Sequence, residues 1–190
     1  MKTHPLYLNN EWVTTEATIP ITNPATGEVF ARISSVGREP VAQALRDAQI
    51  AFVSWRQQTG KARGEFLQKI AGQVESRRDE IARLITLENG KPLAQSQAEV
   101  AMTIDHLKWF GEEARRSYGR VIPHQVEGKR HLAIKTPIGV VAAISPWNFP
   151  LVLAVRKIAP ALAAGCPVVL KPARQTPLSA VAFAECIDAS

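Results

Sequence analysis

The chain has 190 residues, 23 Lys and Arg against 17 Asp and Glu, a net charge of +6 and 46% hydrophobic residues. That length buries a sizeable core, and cations interleaved with anions, as in Arg77-Arg78-Asp79-Glu80, make a solvated face rather than a nucleic-acid footprint. No apolar run reaches the ~18 residues a membrane span needs, and the N-terminus lacks a signal-peptide core, so a cytoplasmic protein without membrane association is expected.

Leu6-Tyr7-Leu8, Asn9-Asn10 and Glu11-Trp12-Val13 read as a hairpin, because Asn tolerates the positive φ of a two-residue turn. Asn23-Pro24-Ala25-Thr26-Gly27-Glu28 forms a second turn, followed by an alternating strand from Val29 to Ile33. From Glu39 to Tyr118 the period is helical. Val41, Leu45, Ala48, Phe52 and Trp55 fall on one stripe, and Phe66, Leu67, Ile70 and Val74 on the next. Ile81, Leu84 and Ile85 mark a third helix, which Asn89-Gly90-Lys91-Pro92 ends, and a fourth runs from about Leu93 to Ser117. The Trp and Phe residues of this region lie on periodic faces and read as core. Gly119 to Pro137 is extended and polar, a strand pair with an open edge.

Gly139 to Ile144 is an uncharged, partly β-branched run that reads as a strand buried on both faces. Ser145-Pro146-Trp147-Asn148-Phe149-Pro150 turns the chain, with Pro150 suited to the first position of a helix over Leu151 to Ala164 and Gly165 at its stop. Pro167 to Leu170 is a second strand and Lys171 to Pro177 a polar crossover. Thr176 before Pro177 reads as the N-cap of a last helix, Leu178 to Ala189. The fold class is therefore α/β: a partial Rossmann-like parallel sheet, preceded by a helical segment and a protruding β arm. The expected divisions are 1–118 for the hairpin and helical part, 119–137 for the arm and 138–190 for the strand-helix-strand-helix unit.

Loops that follow parallel strands share one edge of the sheet, where open α/β sheets bind ligands, so Asn148, Lys171 and Arg174 are expected to face one ligand. Asn148 suits either a cap or an oxyanion donor. Lys171 and Arg174 suit either solvent or a phosphate or ribose hydroxyl, and Arg156-Lys157 reads first as an exposed basic pair. Cys166 and Cys186 read as small core residues without a disulfide. The four histidines lack metal-ligand spacing, so no metal is expected, and no phosphate-cradling Gly-rich loop with Lys is present.

Pro146-Trp147-Asn148-Phe149-Pro150, Ala163-Ala164-Gly165-Cys166, Lys171-Pro172-Ala173 and Thr176-Pro177 together resemble the NAD(P)-dependent aldehyde dehydrogenase family in order and spacing. The resemblance runs from near the N-terminus to Ser190. It implies that Asn148 stabilises the oxyanion of a thiohemiacetal. It also implies that Ile144, Ser145, Pro146, Trp147, Asn148, Lys171, Ala173 and Arg174 contact the dinucleotide. The place of Arg174 often holds a Glu that binds the 2′-hydroxyl of NAD, so Arg174 favours NADP over NAD. Glu112-Glu113, Tyr118-Gly119 and Ile122-Pro123 look like the succinate-semialdehyde dehydrogenase subgroup, in which an Arg at the place of Arg156 holds the substrate's distal carboxylate. A small aldehyde substrate and a homo-oligomer of the full-length form, joined through the arm, follow from the same resemblance. The family's nucleophilic Cys and general-base Glu lie beyond the position of Ser190, so these 190 residues alone are not expected to turn over. The alternative is a non-catalytic remnant that binds nucleotide weakly or only associates with other chains.

Overall fold

In the computed structural model, which describes residues 1–190, strand β1 (Lys2–His4) leads into a hairpin of β2 (Leu6–Leu8) and β3 (Glu11–Val13). The hairpin turn holds Asn9 at φ 50° and Asn10 at φ 62°, the left-handed pair that a two-residue turn demands. Strands β4 (Thr18–Thr22) and β5 (Val29–Ser34) run antiparallel, and β1 adds to β5 in parallel to complete a three-stranded sheet. The hairpin is tied to the far end of the chain, because Tyr7 and Trp12 both donate to the Asp188 carboxylate, at 3.0 and 2.9 Å.

Four helices follow: α1 (Arg38–Trp55), α2 (Gly60–Ser76), α3 (Arg78–Asn89) and α4 (Leu93–Glu113). The α2 and α3 stripes hold as expected, with Leu67, Ile70, Val74, Ile81 and Ile85 fully buried in one cluster with Val100 and Leu107 of α4. The stripe on α1 holds only in part. Of that stripe only Phe52 is fully buried, Ala48 and Trp55 are half-buried, and Val41 and Leu45 at the start of the helix are exposed. Trp109 of α4 is also not core, at 61% exposure, since its helix buries the opposite stripe of Val100, Ile104 and Leu107. Helix α4 stops short of Ser117. The N–H groups of Arg115 and Arg116 bond three residues back, to Glu112 and Glu113, and this tightening unwinds the helix.

Strands β6 (Arg120–Pro123) and β7 (Arg130–Ala133) form an antiparallel hairpin in which every residue is exposed. The chain then enters β8 (Val141–Ile144), α5 (Val152–Ala164), β9 (Val168–Lys171) and α6 (Leu178–Asp188), and β8 pairs β9 in parallel. Strand β8 is not buried on both faces. Ala143 points inward, whereas Ala142 and Ile144 alternate outward and are exposed, so only one face is fully covered. Helix α5 starts two residues later than Pro150 suggests: Leu151 is its N-cap, Pro150 lies in the turn before it, where Leu153 N–H bonds Phe149 O, and its stop is Gly165 at φ 90°. Its far end is held by Trp55 Nε1 on Leu162 O and by Arg63 Nε on Ala163 O, at 3.2 and 2.8 Å.

Helices α2 and α4 meet backbone to backbone. A Cβ placed on Gly64 would lie 2.3 Å from Gly111 O, and one on Gly60 would lie 2.4 Å from Ala114 O. Replacing an exposed helix glycine by Ala stabilises by about 1 kcal/mol, but overpacking a closed contact costs about 1–3 kcal/mol or more. Gly64→Ala is therefore expected to lower the urea midpoint, and Gly72→Ala, on the same helix with open space around it, to leave or raise it. Equal effects of the two substitutions would contradict the close helix contact.

Candidate functional site

The two loops that leave the parallel pair sit side by side. Ile144 is in register with Lys171, Ser145 N–H donates to Lys171 O at 3.2 Å, and Thr176 Oγ1 donates to Trp147 O at 3.4 Å. Asn148, Lys171 and Arg174 are thus carried on adjacent turns of one rim, and all three are exposed. Ile144, 65% exposed, and Trp147, 56% exposed, offer an apolar ledge beside them. Pro146 is exposed, Ala173 is half-buried, and neither Lys171 nor Arg174 takes part in any ion pair. The buried Ser145 Oγ has no hydrogen-bond partner.

Trp147 and Arg174 also line an open cleft of about 480 Å³ with Glu88, Asn89 and Thr176. Lys171, Asn148 and Ile144 lie outside that cleft, so it is not the ledge itself. Arg156 is not brought to the rim by any bond. Its Nε donates to His106 Nε2 at 3.0 Å, and His106 Nδ1 lies 2.7 Å from Met102 O. Arginine can only donate, so Nε2 must accept and Nδ1 carries the proton toward Met102 O.

Thr176 is not the N-cap that its position before Pro177 predicts. The first N–H groups of α6, on Leu178 and Ser179, are instead taken by the two oxygens of Glu88 at 2.6 and 2.9 Å. Glu99 plays the matching part for α5, where one oxygen accepts from Leu151 and Val152 N–H at 2.9 and 3.2 Å. Its other oxygen receives Lys91 Nζ at 2.6 Å in a pair with side-chain exposures of 0% and 9%. Lys91 also reaches Asn148 O at 2.8 Å and stands 3.9 Å over the Phe149 ring, and Asn89 Nδ2 donates to Trp147 O at 2.8 Å. Glu88 and Glu99 did not stand out by motif, and Asn89 and Lys91 read only as part of a helix stop. The available signal was periodicity: Glu88 continues the Ile81–Ile85 stripe and Glu99 sits beside Ser96, Val100 and Thr103, and a carboxylate on a core-facing stripe requires a partner.

The aldehyde dehydrogenase family profile matches residues 12–190. The chain belongs to the aldehyde dehydrogenase family. Among aldehyde dehydrogenases, it is 46% identical over 181 residues to a glutarate-semialdehyde dehydrogenase of Pseudomonas aeruginosa, covering 94% of this chain and 38% of the relative. It is 44% identical over 180 residues to an NADP(+) succinate-semialdehyde dehydrogenase of Escherichia coli, covering 94% and 37%. The crystal structure of succinate-semialdehyde dehydrogenase from Burkholderia pseudomallei superposes with a TM-score of 0.95 at 41% identity, over 98% of this chain and 39% of that one. The chain therefore spans less than two fifths of the length of these aldehyde dehydrogenases. No helix is long and apolar enough to cross a membrane.

Burial pushes the Glu88 carboxyl up to about 7 from an ordinary 4.5, against the opposing bonds from Ser179 and Leu178 and with a smaller push from the charge of Glu99. A carboxyl whose value is raised by folding binds its proton more tightly in the folded chain. Its contribution to stability is complete below about 4.5 and is lost as pH rises through about 7. Glu88→Gln should remove that dependence. The stability difference between parent and variant should shift by up to about 3 kcal/mol between about pH 4 and about pH 8, read from paired urea unfolding curves. A difference that stays flat with pH would show that Glu88 titrates alike in both states.

Proposed function

We propose that these residues supply the dinucleotide rim and the oxyanion donor of an NAD(P)-dependent aldehyde dehydrogenase that oxidises a short aldehyde with a distal carboxylate. The observation that carries this reading is the pairing of Ile144 with Lys171, which sets the Asn148 turn and the Lys171–Arg174 turn on one rim. The donor set fits a dinucleotide: two unpaired exposed cations, an apolar ledge of Ile144 and Trp147, and an unpartnered Ser145 hydroxyl. Lys171 and Arg174 would hold ribose and phosphate, Ile144, Pro146, Trp147 and Ala173 would bear on the flat groups, and the bound nicotinamide would accept hydride. Arg174 offers a fork for a 2′-phosphate, where an acidic side chain would repel it, so NADP is favoured over NAD.

Asn148 can donate its side-chain amide to the oxygen of an attacked carbonyl, a contribution of roughly 3 kcal/mol from a preorganised donor. Arg156, already oriented by His106, would take the distal carboxylate of a semialdehyde. Such a substrate is in keeping with the relatives named for glutarate and succinate semialdehydes. Residues 1–118, 119–137 and 138–190 are read as a helical part, an arm for homo-oligomerisation and the cofactor unit, with the fully exposed β6–β7 hairpin supporting the arm.

The nucleophile is not among these residues. Cys166 and Cys186 are both buried, and burial pushes the Cys186 thiol up, away from the reactive thiolate. That burial also favours the second reading, a non-catalytic chain that binds nucleotide or associates with other chains.

Titration calorimetry on the 190-residue chain with NADP and with NAD tests the rim. NADP is expected to bind more tightly, and Arg174→Ala is expected to cost roughly tenfold in NADP affinity with little change for NAD. Tighter binding of NAD would refute the assignment of Arg174. With succinate semialdehyde and NADP the chain alone should produce no NADPH, and measurable turnover would contradict the exclusion of both cysteines.

A further inference from the structure

The turn that carries Asn148 is held from a distance. Asn148 is exposed, and its side chain has no hydrogen-bond partner, so only its backbone can aim it. The carbonyl before its Cα, Trp147 O, accepts from Asn89 Nδ2 at 2.8 Å. The carbonyl after it, Asn148 O, accepts from Lys91 Nζ at 2.8 Å. Each peptide unit is planar, so fixing the two carbonyls fixes the planes on both sides of one Cα and with them φ and ψ. Only the side-chain torsions of Asn148 remain free.

We propose that Asn89, Lys91 and Glu99 form a bracket that positions the Asn148 amide, an inference that rests on the oxyanion reading above. Gly90, at φ 85°, lets the chain turn so that Asn89 and Lys91 reach successive carbonyls. Glu99 anchors the other side. One of its oxygens holds Lys91 Nζ at 2.6 Å and the other receives Leu151 and Val152 N–H, so turn and α5 share one carboxylate. Lys91 spends its donors on Glu99 and Asn148 O, with its charge over the Phe149 ring. A buried ion pair adds little net stability over an uncharged pair of similar volume, so stability alone does not account for it, whereas geometry does. An oxyanion donor needs this: a displacement of about 1 Å in a reacting site costs on the order of 100-fold in rate.

The test uses ¹⁵N relaxation on the 190-residue chain. Lys91→Met alone would strand the Glu99 charge, so the main variant is the double change Lys91→Met with Glu99→Gln, in which the amide oxygen still caps Leu151 and Val152. In the parent, backbone order parameters at Asn148 and Phe149 are expected near about 0.85, and in the double variant below about 0.6, with α4 and α5 unchanged. Lys91→Arg, which keeps a charged donor, should restore them. Asn89→Ala, a change at a half-buried residue that leaves the ion pair intact, should loosen Trp147 and Asn148 alone and covers the case in which the double variant fails to fold. Unchanged order parameters at Asn148 in the double variant or in Asn89→Ala would overturn the bracket. So would a loss spread evenly over α4 and α5, the mark of a residue that only stabilises the fold. NADP should still bind these variants through Lys171 and Arg174 on the other loop, and more weakly where Trp147 is loosened. Failure of the parent chain to bind NADP would count against the functional reading and leave the bracket standing.

Discussion

Two buried carboxylates hold the arrangement together. The N-terminus of a helix presents unbonded N–H groups and the positive end of its dipole, and burying it without an acceptor is costly. In this chain Glu99 closes α5 and Glu88 closes α6, so the helices that follow the two rim loops begin on side chains from α4 and α3. The loops inherit their positions from those helix starts. Local capping by Ser or Thr would have left each loop free to adjust by itself, whereas a carboxylate from another helix fixes both to the same helical bundle.

The cluster of α2, α3, α4, α5 and α6 that surrounds these contacts is the main core, and the sheet is the smaller part of the molecule. Strand β8 contributes one inward residue, Ala143, and leaves Ile144 open. That exposure belongs with the rim: the apolar ledge beside Lys171 exists because the strand end is uncovered. The chain thus builds its proposed ligand-facing surface from open strand ends and its rigidity from helices, a division common in α/β enzymes.

Much of the local structure was legible in the sequence, because it follows from stereochemistry within a few residues. The Asn9-Asn10 turn and the stops at Gly90 and Gly165 answer to φ preferences. The order strand, helix, strand, helix from β8 to α6 followed from the same signals, and the aldehyde dehydrogenase family from the Trp147-Asn148-Phe149 and Lys171-Pro172-Ala173 blocks. What was not legible depends on partners far along the chain. Glu88 reaches a helix 90 residues away and Glu99 one 52 residues away, and periodicity alone cannot say which N–H groups will meet them. The partly exposed stripe of α1 and the exposed Trp109 fail for a related reason. An apolar face in a sequence states a preference for burial, but the packing of neighbouring elements decides whether it is met.

The contact between α2 and α4 has a mechanical consequence. Where side chains separate two helices, small rotamer changes absorb a shift of one past the other. At Gly64 and Gly111 there is nothing between the main chains to yield, so the pair behaves as a single stiff slab. Glu99 is mounted on that slab, so any sliding of α2 would be passed on undamped to the turn at Asn148.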